Sequence, residues 1–493
     1  MKKLLEPKNW WFWILLALTF KSIILVYYIH HIDPRLRDAT YAGFWGAFGG
    51  DAAQYLKPIE NFLSTGSYTP DERMPGYGIF YYFLRLFLDP VKSLNSLLLL
   101  QLLTSAISTY VLALTTQMVT RKNTAFYYSF LLYILSSCAF SWDYLIITES
   151  LTISFLVFFI YFLCLYFVRA QKLHYLLISG SFLTWIVFLK PVYIILFAIV
   201  LPVLFVFHCR ERSRSVLPGA LLFMSSFVVF DGAWIVRNYN QSQRIIPLYP
   251  HMYVSEIRNT CAAPLIRFIQ SWGGEFAWDA GTASRWFYPN LKNMVCAPCA
   301  EELEKNYTVS IPDYIYTSKF NRDSLVIMRG DLMKWDSLRK VGLNAKQLEE
   351  YRETITIRLD TYTASLQSEK PFLFYIQSRW IYLKRFLFGR VQTPPLIFHP
   401  YNKLKIGIFI LSEAIYYFAL TTGLLMAFWT VFKSLNLVSI DYVLLLISLI
   451  MLFGVFVFPI ALKYSEHRYL APEYPFIVIC SAACYFKLRD KFL

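Results

Sequence analysis

Long apolar stretches separated by short polar segments dominate the 493-residue chain. A helix that crosses a bilayer needs about 20 mostly apolar residues. Ten stretches approach that length, at 10–28, 93–118, 124–141, 149–168, 174–189, 191–208, 216–235, 406–432, 438–460 and 468–487. The pattern therefore predicts an all-α polytopic membrane protein with ten transmembrane helices.

Three segments call for a different interpretation. The stretch from Tyr77 to Leu88 is too short to span a bilayer, which predicts a half-helix in the outer interface. Residues 174–208 form two crossings only if the helix breaks at Lys190 and Pro191, and proline is expected where a helix ends. The stretch from Ile376 to Arg390 alternates cations with aromatic residues, which indicates a further interfacial helix.

A long polar region interrupts the apolar pattern. From Val236 to Lys405 the chain carries mixed charges with several Trp and Tyr residues, which predicts a small mixed domain outside the membrane. We therefore predict three parts: an N-terminal transmembrane catalytic module with an outer loop at 30–92, a soluble domain, and C-terminal transmembrane helices. Their bounds are 1–235, 236–405 and 406–493.

Three cysteines lie in this polar region, at Cys261, Cys296 and Cys299. The CAPC sequence at 296–299 lacks the second ligand pair of a structural zinc site, which argues against bound zinc. Whether these cysteines form a disulfide stays open.

Composition and charge fit a membrane protein. The chain is 57% hydrophobic and only 16% charged, with a mean hydropathy of +0.44, which is too apolar for a soluble domain. Lys2, Lys3 and Lys8 precede the first apolar stretch and no small-residue cleavage site follows it, which predicts an uncleaved first span and a cytoplasmic N-terminus. Every predicted inner segment is then basic, at 121–122, 169–172, 210–214, 433 and 487–491.

The net charge of +15 follows this positive-inside pattern. No clustered basic face or binding motif accompanies it, which argues against a nucleic-acid partner. Other charges gather near the predicted outer ends of several helices, where they are costly and either functional or paired with one another. They are Asp51, Glu60, Arg73, Asp143, Glu149, Lys190, Arg237, Glu466, His467 and Arg468.

The outer segment 49–78, GGDAAQYLKPIENFLSTGSYTPDERMPGYG, has the features of an ordered loop. Two glycines precede Asp51, an amphipathic helix follows through Phe62, Gly66 stops it, and Pro75 begins a second turn. This pattern resembles the first extracytoplasmic loop of the GT-C glycosyltransferases, which include protein O-mannosyltransferases and the lipid A aminoarabinose transferase. In that class the acidic residue of the loop is catalytic, which would be Asp51 here. The alternative is that Asp51 only caps the following helix.

Four shorter segments resemble GT-C motifs in the same order along the chain. One departure is that the second acidic loop offers both Asp143 and Glu149 instead of a single acidic position. Another is that the polar region 236–405 resembles no domain we can name, so the acceptor stays open. The segments are DYLIITESL at 143–151, LKPVY at 189–193, GAWIVRNYN at 232–240 and HRYLAPEYP at 467–475.

The resemblance implies transfer of a sugar from a polyprenyl-phosphate donor to an extracytoplasmic glycolipid, glycan or protein, with inversion at the anomeric carbon. Cations would hold the phosphate, since arginine presents a fork of donors, and a carboxylate would take the acceptor's proton. The carboxylate candidates are Asp51, Asp143 and Glu149. The phosphate-binding candidates are Arg73, Lys190, Arg237 and Arg468, with Tyr55, Glu72, Glu466 and His467 as further site candidates.

Several points stay open at this level. A divalent metal, Mg²⁺ or Mn²⁺, is a candidate cofactor. A polysaccharide polymerase or ligase would use the same donors but gives no reason for an acidic loop after the first span. A transporter would place ionisable residues at the bilayer midplane, whereas here they gather at one edge.

We expect a bacterial inner membrane with undecaprenyl-phosphate donors, because the chain ends soon after the last span and carries no retention signal.

Overall fold

The computed structural model describes twelve segments of the chain. They are residues 5–31, 41–70, 73–168, 172–210, 216–249, 261–275, 282–287, 311–341, 345–388, 403–435, 441–463 and 466–492. Glu72, Cys296 and Cys299, which the sequence singled out, lie outside these segments. The chain divides into two compact units: Met1–Met252 with Arg390–Val455 and Arg468–Leu493, and Tyr253–Gly389 with Phe456–His467.

Helices make up most of the first unit. They are α1 (Trp10–His31), α2 (Ala52–Thr65), α3 (Gly78–Arg85), α4 (Pro90–Thr120), α5 (Asn123–Ile134), α6 (Ser137–Phe140), α7 (Glu149–Val168), α8 (Leu173–Leu189), α9 (Ile195–Arg210) and α10 (Val216–Ser242). The second unit contains α11 (Ala262–Ser271), α12 (Thr282–Phe287), α13 (Arg322–Val341), α14 (Ala345–Glu369) and α15 (Ser378–Phe388). The last helices are α16 (Lys403–Leu435), α17 (Tyr442–Ile460) and α18 (Tyr474–Phe492).

Within the described segments, seven helical stretches are long and apolar enough to cross a membrane: α1, α4, α7, α9 together with the 3₁₀ turn before it (Pro191–Arg210), α10, α16 and α17. The prediction of an all-α polytopic membrane protein is thus confirmed. The other three predicted crossings differ in detail. Helix α8 has 17 residues, and α18 ends in a charged turn with Arg489 and Lys491. The stretch 124–141 is broken into α5 and α6, because the hydroxyl of Ser136 accepts a hydrogen bond from the amide of Cys138 and starts a new turn.

The predicted irregularities of the apolar pattern are present. Helix α3 spans only Gly78–Arg85, too short to cross a bilayer. Helix α8 stops at Leu189, Lys190 is extended, and Pro191 opens a 3₁₀ turn that leads into α9. Gly66 ends α2 with a left-handed φ of 72°, a conformation that glycine adopts without steric cost.

Close backbone contacts hold the outer loop against its neighbours. Residues Ala47–Phe48 (β1) pair in parallel with Leu145–Ile146 (β2), so the start of the loop lies beside the second acidic segment. At the other end of the loop, a side chain on Gly76 would clash with the backbone of Phe188, since a Cβ there would lie 2.5 Å from its carbonyl. The loop is therefore fixed between the segment before α7 and the end of α8.

The second unit has its own helical core. Phe268 packs against Phe287, Phe320 and Tyr362 at ring-centroid distances of 5.4–6.1 Å. The described residues form helices and one β-bridge between Thr317 and Phe320, where the sequence predicted a mixed domain. This core is separate from the apolar clusters of the first unit.

Candidate functional site

Asp51 lies between two arginines from distant parts of the chain. Arg73 Nη2 is 2.9 Å from Asp51 Oδ1, and Arg468 Nη1 is 2.7 Å from Oδ2. Asp51 stands at the N-cap position of α2, but its side chain makes no capping hydrogen bond. Its carboxylate is instead directed to the guanidinium groups, so the capping alternative does not describe its contacts.

The arginines set the charge state of Asp51. Burial alone would raise the pKa of its carboxyl, but the charges of Arg468 and Arg73 and the hydrogen bond from Arg468 outweigh burial and lower the pKa below its ordinary value. Asp51 is therefore an anion at neutral pH. A carboxylate with both oxygens held by guanidinium groups is a weak proton acceptor until one of them is displaced.

Each arginine is oriented by further contacts. Arg73 Nε donates to the side-chain oxygen of Gln54 at 2.7 Å, and its guanidinium lies 6.0 Å from the ring of Tyr55. The guanidinium of Arg468 lies 5.4 Å from the ring of Tyr469. An arginine carries five N–H donors, so these contacts leave it able to hold other oxygens.

A second ion pair adjoins this group. Lys190 Nζ donates to Glu149 Oε1 at 2.7 Å and lies 5.0 Å from the ring of Tyr469. Lys190 is also within electrostatic range of Asp51 and Arg468. The break between α8 and α9 places it there. Both partners are buried, whereas the arginines are partly exposed.

Tyr55 joins the two pairs. It is buried on α2, shares a side-chain hydrogen bond with Thr148, and lies within electrostatic range of Glu149 and Asp51. Burial raises the pKa of its hydroxyl above the ordinary value, so Tyr55 stays neutral. Tyr55 thus connects the outer loop to the start of α7.

The structure places Asp143 elsewhere. It is fully buried and pairs with Lys21 in the middle of α1, with Nζ 2.7 Å from Oδ2. The hydroxyls of Ser105 and Ser150 donate to its two oxygens at 3.0 and 2.7 Å. All these partners are protein groups in a closed network, which indicates a role in joining helices.

Of the remaining candidates, Arg237 has partners of its own. Arg237 donates to the carbonyl of Tyr68 at 2.8 Å and lies 4.8 Å from the ring of Trp234. It therefore touches the far half of the outer loop. Glu466 and His467 belong to the other compact unit, and the side chain of His467 is outside the described part.

Sequence reasoning missed four residues of this region: Lys21, Gln54, Tyr469 and Glu473. The signal for Lys21 was available, because a lysine within an apolar span is costly and normally has a partner. Tyr469 and Glu473 lie inside the HRYLAPEYP motif, from which only His467 and Arg468 were predicted to be site residues. Gln54 had no signal of its own.

The assembled group has an excess of positive charge. Arg73, Arg468 and Lys190 face two carboxylates, Asp51 and Glu149, which leaves one net positive charge among these described residues. Such a group attracts a singly charged anion with phosphate-like oxygens.

The same residues do not fit a divalent metal. In the described segments, no three His, Cys, Asp or Glu residues come together as ligands. Both oxygens of Asp51 face guanidinium groups, and Glu149 faces an ammonium group. Magnesium or manganese would need these oxygens, so the mechanism proposed below uses no metal.

The solved structures that resemble the chain include two membrane-enzyme structures of low sequence identity. An oligosaccharyltransferase from Archaeoglobus fulgidus, in complex with Zn and sulfate, is 12% identical with a TM-score of 0.46, over 96% of this chain and 49% of that one. ArnT from Cupriavidus metallidurans, in the apo state, is 11% identical with a TM-score of 0.34, over 95% of this chain and 76% of that one.

The chain spans about half the length of the oligosaccharyltransferase. The sequence matches no family model and no curated protein. At these identities and TM-scores the likeness assigns no role to any residue, so the function rests on the geometry of the site.

Proposed function

We propose that this chain is a membrane glycosyltransferase that moves a sugar from a polyprenyl-phosphate donor to an acceptor on the extracytoplasmic face. The observation that carries the proposal is the carboxylate of Asp51 held between Arg73 and Arg468, beside Lys190. A sugar phosphodiester carries one negative charge, which the excess charge of the group would neutralise.

The arrangement couples donor binding to acceptor activation. When the donor phosphate enters, its oxygens compete with Asp51 for the N–H groups of the two arginines. Displacing one arginine weakens the interaction that lowers the pKa of Asp51, so its carboxylate becomes a better base for the acceptor hydroxyl.

The group-transfer step then has defined parts. The acceptor oxygen bonds to the anomeric carbon as the bond from that carbon to the phosphate oxygen breaks. Asp51 receives the acceptor's proton, and the polyprenyl phosphate leaves with its new charge stabilised by Arg73, Arg468 and Lys190. Attack from the face opposite the leaving group would invert the sugar, as the GT-C resemblance implies.

Contacts at the other helix ends fit the proposed orientation. Lys122 Nζ is 2.9 Å from Asp490 Oδ2, which joins two segments that the charge pattern assigns to the cytoplasm. We expect topology reporters after Lys122, after Arg214 and at the C-terminus to read cytoplasmic, and one within 280–340 to read external. An external C-terminus would contradict the placement of the site.

Mass spectrometry of envelope glycolipids, glycans and glycoproteins tests the function. We expect cells with the wild-type chain to contain a sugar modification that is missing without the chain and with Arg468→Ala. Arg267→Ala is the matched control, because Arg267 forms an exposed ion pair with Asp360 in the other compact unit. Envelopes that are identical with and without the chain would refute the proposal.

A further inference from the structure

Two buried polar groups beside the cations have no hydrogen-bond partner in the part of the chain that the structure describes. The hydroxyl of Tyr193 and the Oε2 atom of Glu473 are both unpaired, although their residues are only 3% and 1% exposed. An unmade hydrogen bond in a buried place is costly, so a polar group from outside the protein is expected to complete such a pair.

The two groups belong to the segments that supply the phosphate-binding cations. Tyr193 lies in the 3₁₀ turn that follows Lys190, and Glu473 lies in the 3₁₀ turn Ala471–Glu473 that follows Arg468. Tyr193 is within electrostatic range of both Glu473 and Glu149, the partner of Lys190. The unpaired groups are therefore next to the place where the donor phosphate would be held.

The backbone of α17 leaves room for the carboxyl of Glu473. A Cβ atom on Gly454 would lie 2.0 Å from Glu473 Cδ, closer than any side chain tolerates. Gly454 is the one glycine in the apolar helix Tyr442–Ile460. The glycine thus lets the carboxyl of Glu473 lie against the helix.

We propose that Tyr193 and Glu473 form a polar subsite that binds a hydroxyl group of the sugar on the donor. The inference rests on the proposed function, because the sugar is bonded directly to the phosphate that the neighbouring cations would hold. It adds the part of the donor that these two residues recognise.

The chemistry of the two groups favours a sugar hydroxyl over the other parts of the donor. An unpaired carboxyl that is only 1% exposed is costly to ionise, so we expect Glu473 to be neutral, and a neutral carboxyl both donates and accepts. A phenol does the same. A sugar hydroxyl also donates and accepts, whereas a phosphate oxygen only accepts and a polyprenyl tail does neither.

Binding of two kinds of probe to the full chain in nanodiscs tests the proposal. The probes are undecaprenyl phosphate and undecaprenyl phosphate that carries glucose, mannose or aminoarabinose. We expect the wild-type chain to bind at least one sugar-bearing probe more tightly. Tyr193→Phe and Glu473→Ala should each reduce that preference about 3- to 10-fold, as expected for one lost hydrogen bond, without changing affinity for undecaprenyl phosphate.

Further variants separate the outcomes. Glu473→Gln, which stays neutral and polar, should keep most of the preference, and Arg468→Ala should weaken both kinds of probe. If Tyr193→Phe and Glu473→Ala keep the full preference, the two groups hold internal water only and the subsite is refuted. If the wild-type chain binds neither kind of probe, the proposed donor itself is wrong.

Two controls keep the test independent of folding and of the donor. Tyr193→Phe removes only one oxygen, so it gives a result even if Glu473→Ala does not fold. Infrared spectra should show a protonated carboxyl band at pH 7 that Glu473→Gln removes. Its absence from the wild-type chain would contradict a neutral Glu473.

Discussion

Two acidic residues from the predicted outer segments, Asp143 and Asp51, form ion pairs of opposite character. Asp143 and its partner Lys21 have side chains that are 4% and 1% exposed, and two serines complete the network. Asp51 is 19% exposed, between Arg468 at 22% and Arg73 at 32%. A closed ion pair joins helices, whereas an accessible pair with excess cations can exchange one partner for a ligand.

Breaking the closed pair should have the largest effect. Lys21→Met leaves the carboxyl of Asp143 buried without its cation, which should destabilise the chain by about 3–5 kcal/mol. Thermal unfolding in detergent measures this. Adding Asp143→Asn should restore much of the loss, because the amide oxygen can accept from one of Ser105 and Ser150 and the NH₂ group can donate to the hydroxyl of the other. Lys122→Ala, which breaks the exposed ion pair with Asp490, is the comparison. If Lys21→Met lowers stability no more than Lys122→Ala does, the buried pair is not structural.

The open pair should behave in the opposite way. Asp51→Asn should lower turnover by about 10² or more, because the amide neither takes a proton nor holds two guanidinium groups. Its thermal stability should change by less than about 1 kcal/mol. Turnover on the native acceptor and protein level in the membrane are measured together. A well-expressed Asp51→Asn variant with full activity would remove Asp51 from the mechanism.

The two arginine candidates should differ from each other. Arg468→Lys should reduce donor affinity about tenfold, because a point charge does not reproduce the fork that meets Asp51 and the phosphate. Arg237→Lys should have a smaller effect, since Arg237 is held by the carbonyl of Tyr68 and the ring of Trp234. Titration with undecaprenyl phosphate compares them. Equal losses would place Arg237 in the phosphate site.

The smallest expected effect is the change with pH in the stability that the ion pairs of Asp51 contribute. The pKa of Asp51 is lowered in the folded chain, so its ion pairs contribute fully above the ordinary pKa of 3.8 and are lost only as pH falls through the lower folded value. The contribution of Asp51 to stability, measured as the difference in thermal unfolding between the wild-type chain and Asp51→Asn, should therefore be constant from pH 8 to 5. In Arg73→Ala, one arginine instead of two opposes the rise that burial causes in the pKa of Asp51. That pKa should then be higher, so the loss of stability at low pH should begin at a higher pH. If stability falls at the same pH in the wild-type chain and in Arg73→Ala, Arg73 does not lower the pKa of Asp51.

Local rules predicted much of the fold. Gly66, the short α3 and the break at Lys190 and Pro191 each follow from residues within one or two turns of the feature. The break between α5 and α6 was missed, because a serine hydroxyl that starts a new turn inside an apolar stretch leaves hydropathy almost unchanged.

The site was predictable only in part. Motif order placed Asp51, Arg468 and Lys190 in one group, but it also kept Asp143 among the carboxylate candidates. Asp143 is buried in an ion pair with Lys21, which is 122 residues away in sequence. Such a long-range contact exists only in the tertiary structure. Glu473 was missed because the observation that points to it is a buried oxygen without a hydrogen-bond partner among the described residues, and a sequence does not show hydrogen bonds.

The pairing of Asp51 with Arg468 also has a consequence for biosynthesis. The two residues are 417 positions apart, and a ribosome that adds about 5–20 residues per second needs about 20–80 s to make that interval. Until then a nascent chain holds Asp51 with Arg73 alone. Premature termination before residue 468 would thus yield an inserted protein that keeps the first acidic loop but has no complete anion site.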